Sequence, residues 1–327
     1  MDKPRSILVV VDPENLASPA VAKAKTLALA FDAAVELLLC DIEPAYSPEM
    51  YPVAESVNVL TAPIEAQHTV ALDRLAAPMR DAGIPVTTRV EFGRPLHAVI
   101  LGRIDAARPD FVIKDTHHHS VVRRTILTNT DWHLLRSCQA PLLLVKAREW
   151  AKQPRVVAAV ATGHPGDPPD YLTHSIVDLA ALLGRALGSH VEILHAWSPI
   201  PVLAQTAGVG MPGGGAMAVP EELIRTVQQI DRDRLGHLAR VHDINDADVH
   251  CMDGVAVEVL PSFAESKAAD IVAMGVISRS AVDRMFVGNT AERVLERMPC
   301  DILAVKLARP AAGLRIKPAP LSKSHWA

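Results

Sequence analysis

Part of this chain is written twice, and that constrains its fold more than any single motif does. Setting Asp110 to Lys146 against Asp270 to Lys306, with a constant shift of 160 and no gap, gives 11 identities in 37 positions. Average residue usage gives about two by chance. The recurring residues are Asp110, Val112, Ser120, Val122, Arg124, Asn129, Thr130, Leu135, Leu143, Val145 and Lys146. Upstream the halves agree in pattern more than in letters: SILVVVD (6–12) answers RVVAAVA (155–161), AAVELLLCDIEP answers SHVEILHAWSPIP, and EFGRPLHAVI answers MDGVAVEVLP. The 327 residues thus divide into halves at 1–148 and 154–308, joined by REWAKQP, with a flexible tail over 309–327 that carries three prolines and no acidic residue.

Within each half, short aliphatic runs alternate with stretches of helical period. In the first half the expected strands are Ile7–Val11, Val35–Cys40, Val86–Val90, Asp110–Ile113 and Pro141–Val145, with helices near 17–32, 62–82, 94–107 and 129–138. Continuous apolar strands separated by helices mark a parallel sheet covered on both faces. The expected fold is therefore α/β: two tandem, doubly wound, five-stranded domains, with ligands docking at the carboxyl ends of the strands where the order reverses. The terminal strands PLLLVK and DILAVK would be exposed apolar edges unless paired.

Composition narrows the function classes. With 33 basic and 37 acidic residues the net charge is −4, which gives no field for gripping a phosphate backbone, so direct nucleic-acid binding is not expected. No apolar run reaches the roughly 18 residues of a membrane span, and MDKPRSILVVVD carries no signal-peptide core. Cys40, Cys138, Cys251 and Cys300 show no Cys-x-x-Cys spacing and read as reduced core thiols, so a cytoplasmic location is expected.

In the last quarter of the second half, Asn289 and Glu292 have capping-box spacing and start a helix at Thr290. Free backbone N–H groups there, next to Gly288 and reached by a loop from Gly275, would favour an anion. At these residues the chain resembles the universal stress protein family. Its nucleotide-binding members carry Gly, two residues, Gly, nine residues, Gly and then Ser or Thr, with an Asp ending the first strand. The second half has Gly275, Ser278, Gly288 and Asn289 in those columns, followed by Thr290, whereas the first half has Asp115, His118, Thr128 and Asn129, followed by Thr130. Asp12 ends the first strand, but its counterpart is Ala161.

The first-half run KDTHHHSVVRRTILTNTDWHLLRSCQAPLLLVK and the second-half GNTAE are similar to tandem, E-type members of the family. The resemblance implies a stress-response protein, with tolerance to DNA-damaging agents among its roles. It also implies that Pro141–Lys146 pairs with Asp301–Lys306 inside the chain, giving an intramolecular pseudo-dimer. ATP is the cofactor it allows, chiefly in the second half, because Asp131 in the first helical turn of the other copy competes with phosphate.

Other features have plainer readings. His117, His118 and His119 are consecutive, whereas metal ligands on one element usually lie three or four apart, so structural or pH-responsive roles are expected and no metal is assigned. GVGMPG at 208–213 matches a dinucleotide fingerprint in letters but lies in a Pro- and Gly-rich loop instead of a strand–helix turn. That loop (201–219) and its counterpart (44–63) are long and apolar, and read as covers for an apolar ligand or as packing between the halves. Asp231 and Asp233 fit a solvated helix face. No nucleophile elbow, Walker loop or His-Glu-x-x-His appears, so no catalytic residue is expected. Three readings stand: a non-enzymatic stress protein binding a small ligand or partner, an ATP-binding and slowly hydrolysing sensor, and a binder of an amphiphile.

Overall fold

The computed structural model describes residues 3–13, 18–41, 54–118, 125–162, 171–198, 220–276 and 289–306. The first half runs β1 (Ser6–Val11), α1 (Pro19–Phe31), β2 (Ala34–Asp41), α2 (Ala54–Arg80), β3 (Val86–Phe92), α3 (Leu96–Ala107), β4 (Phe111–Asp115), a short β5 (His117–His118) and β6 (Thr125–Ile126), α4 (Asn129–Ser137) and β7 (Leu142–Val145). The second half repeats the plan: β8 (Val156–Val160), α5 (Tyr171–Leu187), β9 (Val191–Trp197), α6 (Glu221–Val241), β10 (Val249–Asp253), α7 (Ala256–Ser266), β11 (Ile271–Gly275), α8 (Asn289–Leu295) and β12 (Asp301–Val305).

The main strands form one ten-stranded sheet in the order β10-β9-β8-β11-β12-β7-β4-β1-β2-β3. Within this sheet, every described pairing inside a half is parallel. Between the halves, β12 and β7 run antiparallel, with Ile302 opposite Leu144, Leu303 opposite Leu143 and Ala304 opposite Leu142, and outside the sheet β5 and β6 form a short antiparallel pair. The two terminal strands thus remove each other's edges, as expected, and form the pseudo-dimer. Alternate residues of the strands feed two cores. Ile7, Val9, Leu143 and Leu303 face the layer of α1, α2, α5 and α6; Leu8, Val10, Leu144 and Ile302 face that of α3, α4, α7 and α8. Each core runs unbroken across the junction.

Several identities between the halves have a structural explanation. Asp110 accepts hydrogen bonds from the backbone N–H groups of Arg5 (2.7 Å) and Ser6 (3.0 Å), and Asp270 accepts from Arg155 N–H at 2.9 Å, so each carboxylate holds the chain entering the first strand of its half. The repeated lysines cross the junction. Lys146 donates to Met298 O behind α8, and Lys306 donates to Cys138 O (2.7 Å) and Leu134 O (3.3 Å) at the end of α4. A cation at a helix C-terminus satisfies orphan carbonyls and opposes the helix dipole.

The joining segment is itself anchored. Trp150 Nε1 donates to Asp301 at 2.7 Å, beside the Lys23 ammonium at 2.7 Å and Lys146 N–H at 2.9 Å. Burial pushes Asp301 above the usual carboxylate range, and the Lys23 charge offsets only part of that. Cys40, Cys138 and Cys300 are buried thiols as expected, while Cys251 is half-buried.

The second helix differs from its expected range. It begins at Ala54 instead of near 62, so Pro63 lies inside it, not at its start. An internal proline forfeits one backbone hydrogen bond, which a helix of 27 residues tolerates. Of the expected 44–63 loop, residues 54–63 therefore lie in this helix; 44–53 fall outside the described residues, as do 201–219 and the tail 309–327.

Two outcomes follow from the junction. Asp301→Ala leaves the buried Lys23 ammonium without its counter-charge and should cost about 3–5 kcal/mol in urea unfolding. Burial lowers both Lys146 and Lys306 to about 8, so above that pH the unfolded chain binds more protons than the native one and stability rises with pH. The rise should run from about pH 8 to 9, where thiols raised to about 12 by burial at Cys40 and Cys300 begin to oppose it. A Lys146→Met, Lys306→Met chain, followed by denaturation at pH 8 and 9, should lack that rise.

Candidate functional site

In each half the strand order reverses beside its first strand, and the crevice above that point is the expected docking place. In the first half, Asp12 follows β1 and is half-buried, while Asp115 ends β4 and is buried. The Asp115 carboxylate is committed to its own protein: Ser18 Oγ donates to one oxygen and Ala20 N–H donates to the other at 2.9 Å. It thereby supplies an anion to the start of α1. Burial drives its pKa above the usual range, against those two hydrogen bonds and the charges of Lys114 and Lys23.

The start of α4 is filled in the same way. Thr128 caps the helix and Asp131 completes a capping box, accepting from Thr128 N–H at 2.7 Å and Thr128 Oγ1 at 2.9 Å. Lys114 Nζ lies 2.8 Å from the other Asp131 oxygen, and the Asp131 side chain is 0% exposed. A phosphate arriving here would meet a carboxylate already holding the helix N-terminus.

Asn129 and Thr130 are turned to another use. With Arg94, Pro95, Leu96 and His97 they line a cavity of about 350 Å³ where the starts of α3 and α4 converge. The His97 and His133 rings stack beside it, with centroids 3.6 Å apart and an angle of 6°. Burial, then the His133 charge, lowers the His97 pKa. The sequence reading missed Arg94 and the pairing of His97 with His133, because the two histidines lie 36 positions apart and only the packing of α3 on α4 brings them together. His118 lies in the β5–β6 hairpin, and of its side chain nothing is described.

The second half has neither carboxylate. Gly275 stands at the Asp115 column and Ala291 at the Asp131 column. The space above Gly275 is nevertheless taken, because a Cβ there would meet Leu172 Cδ2 at 2.8 Å. The glycine therefore serves the packing of α5 on β11. α8 is described from Asn289 onward, and the Glu292 carboxylate sits 3.8 Å from Arg136 across the junction. Thr290 is exposed, while Ser278 and Gly288 lie outside the described residues.

Residues 4–146 and 165–306 each match the universal stress protein family. The chain belongs to that family. It is similar to universal stress protein E of Escherichia coli K12, with 27% identity over 303 residues covering 92% of this chain and 94% of that protein. The Salmonella typhi protein of the same name is 26% identical over 302 residues, covering 92% and 94%. Among solved structures, a universal stress protein from Pseudomonas aeruginosa UCBPP-PA14 aligns with a TM-score of 0.71 at 24% identity, covering 93% of this chain and 94% of that one. One from Archaeoglobus fulgidus aligns with 0.65 at 14%, covering 92% and 98%. The chain thus carries two universal stress protein domains in tandem, in a family of stress-response proteins, and is similar over nearly its whole length to universal stress protein E. Among the described residues no helix is long and apolar enough to cross a membrane, and no three His, Cys, Asp or Glu side chains are grouped to hold a metal ion.

A packing role for the glycine has a direct test. Gly275→Ala should cost about 1–3 kcal/mol by overpacking. Adding Leu172→Ala should make the pair less destabilised than the sum of the two single changes, measured by a double-mutant cycle in urea.

Proposed function

We propose that this universal stress protein is a non-enzymatic, cytoplasmic stress-response protein that binds a small ligand through its second half, residues 154–308. The first half, residues 1–148, serves as its closed partner. In this reading the protein supports tolerance to stress, DNA-damaging agents included, and does not bind nucleic acid directly. One observation carries the assignment to the second half. Asp115 and Asp131 place carboxylates at two helix starts of the first half, whereas the second-half columns hold Gly275 and Ala291. A carboxylate at a helix start satisfies the N–H groups an external anion would use and repels that anion. The non-enzymatic reading draws support from the thiols as well: burial holds Cys40 and Cys300 at about 12, far from a nucleophilic thiolate at neutral pH.

A second reading, an ATP-binding and slowly hydrolysing sensor using Gly275, Ser278, Gly288, Asn289 and Thr290, is favoured by the same lack of a carboxylate at Ala291. Calorimetry with ATP on protein cleared of carried-over ligand decides between them. A sensor should bind one ATP per chain and lose that binding in Gly288→Asp, whereas the leading reading expects no nucleotide heat and a different small molecule in mass spectrometry of the purified protein. Two ATP molecules per chain would overturn the closed first half.

A further inference from the structure

The helical layer of the second half contains a cavity of about 350 Å³ that belongs to neither helix start discussed above. It opens between α5 and α6 beside Thr162, just beyond the end of β8, and is lined by Thr173 and His174 from α5 and by Ile230, Arg234 and His237 among the α6 residues. That volume lies at the lower end of the range for small-molecule sites. Sequence reading passed these residues over, because QQIDRDRLGHLAR has the look of a solvated helix face and GVGMPG drew attention elsewhere.

Three observations give the cavity a chemical character. The first is Thr162, whose hydroxyl oxygen is buried and has no hydrogen-bond partner among the described residues. Leaving such a group unpaired is costly, and a native structure that does so calls for an explanation such as a bound water or ion. The β1–β8 register puts Pro13 in the same column of the first half, so the hydroxyl belongs to the second half alone.

The second is a hydrogen-bonded chain that fixes one wall. His174 Nδ1 lies 2.8 Å from His242 Nε2, and His242 Nδ1 lies 3.1 Å from Asp178 Oδ1. Burial acts to raise Asp178, but the hydrogen bond and charge of His242, with the charge of His174, outweigh it and hold the carboxyl below its usual range. A carboxylate behind a pair of imidazoles orders the rings. The arrangement holds His174 in one orientation at the cavity.

The third is the set of hydrogen-bond donors around the cavity. Arg234, His174 and His237 converge on it from two helices, and the start of α5, the positive end of its dipole, supplies Thr173. Against these stands Asp233, which accepts from Gln229 Nε2 at 2.8 Å. Arg234 pairs only loosely with Asp231, at 3.4 Å and with its side chain 49% exposed, so its guanidinium retains donors for a further acceptor. Ile230 and Leu238 give the cavity an apolar side.

From this geometry we infer that the α5–α6 cavity is a binding site for a small molecule that carries an oxyanion, phosphate or carboxylate, on a short apolar body. The anionic group meets Arg234, His237 and His174, the Thr162 hydroxyl gains its missing partner, and the apolar body lies on Ile230 and Leu238. The site is separate from Gly288, Asn289 and Thr290, and it stands whether or not nucleotide binds there.

Calorimetry on the full chain with phenyl phosphate, benzoate and inorganic phosphate tests the site. The expected result is saturable binding of phenyl phosphate or benzoate at one per chain, tighter than inorganic phosphate. A phosphate-type site prefers the first probe and a carboxylate-type site the second. Arg234→Gln and His237→Gln, both on the α6 surface, should each weaken binding at least tenfold while leaving the unfolding midpoint unchanged, and Gly288→Asp should leave binding intact. No saturable binding by any probe at millimolar concentration, or binding that survives Arg234→Gln and His237→Gln, would overturn the site. Loss of binding in Gly288→Asp alone would move the ligand to α8 and overturn it equally.

Discussion

The antiparallel pairing of β7 with β12 is the constraint on which the rest of the molecule depends. Two five-stranded parallel sheets would each end in an apolar strand, LLLV or DILAV, with unpaired backbone groups along one side. Joining them removes both edges and merges the halves' cores into one above and one below a ten-stranded sheet. Lys146 and Lys306 reinforce the junction by reaching to the ends of each other's last helices. Asp301 adds what its counterpart Pro141 cannot, a buried acceptor shared by Lys23, Lys146 and Trp150. The pseudo-twofold symmetry of the backbone thus carries an asymmetric polar network.

With the shared scaffold fixed, the carboxyl ends of the strands were free to diverge. In the first half the crevice beside β1 receives the Asp115 carboxylate, and the start of α4 receives Asp131 with Lys114 as its counter-ion. In the second half Leu172 fills the space above Gly275. The same place therefore holds carboxylates in one copy, and in the other is narrowed above Gly275 by Leu172 while its helix start carries Ala291 in place of Asp131; further open space lies in the α3–α4 cavity beside the His97–His133 stack and in the α5–α6 cavity behind the Asp178–His242–His174 chain. One fold, duplicated, offers two chemically different surfaces.

How much was legible follows from the range of the interactions involved. Strands and most helices could be read because alternation, helical period and turn residues are local. The start of α2 was placed near 62, whereas the helix begins at Ala54 and carries Pro63 inside it. The identities Asp110/Asp270 and Lys146/Lys306 were visible, but their partners were not, since each bonds to groups more than 100 residues away. Gly275 fits a ligand-approach column by its letter and a helix-packing column by its surroundings.

The sequence by itself determined the duplication and the α/β class, because a repeat of 37 residues and the alternation of apolar runs with helical period are local patterns, and the family resemblance carried by its motifs implied the pairing of the terminal strands. Only the tertiary structure decided which polar groups meet. The convergence of Thr162, His174 and His237, like the stacking of His97 on His133, depends on how helices from distant segments pack on the two faces of the sheet. A side chain's chemistry is set by the neighbours that packing supplies, and those neighbours leave no local pattern in the chain.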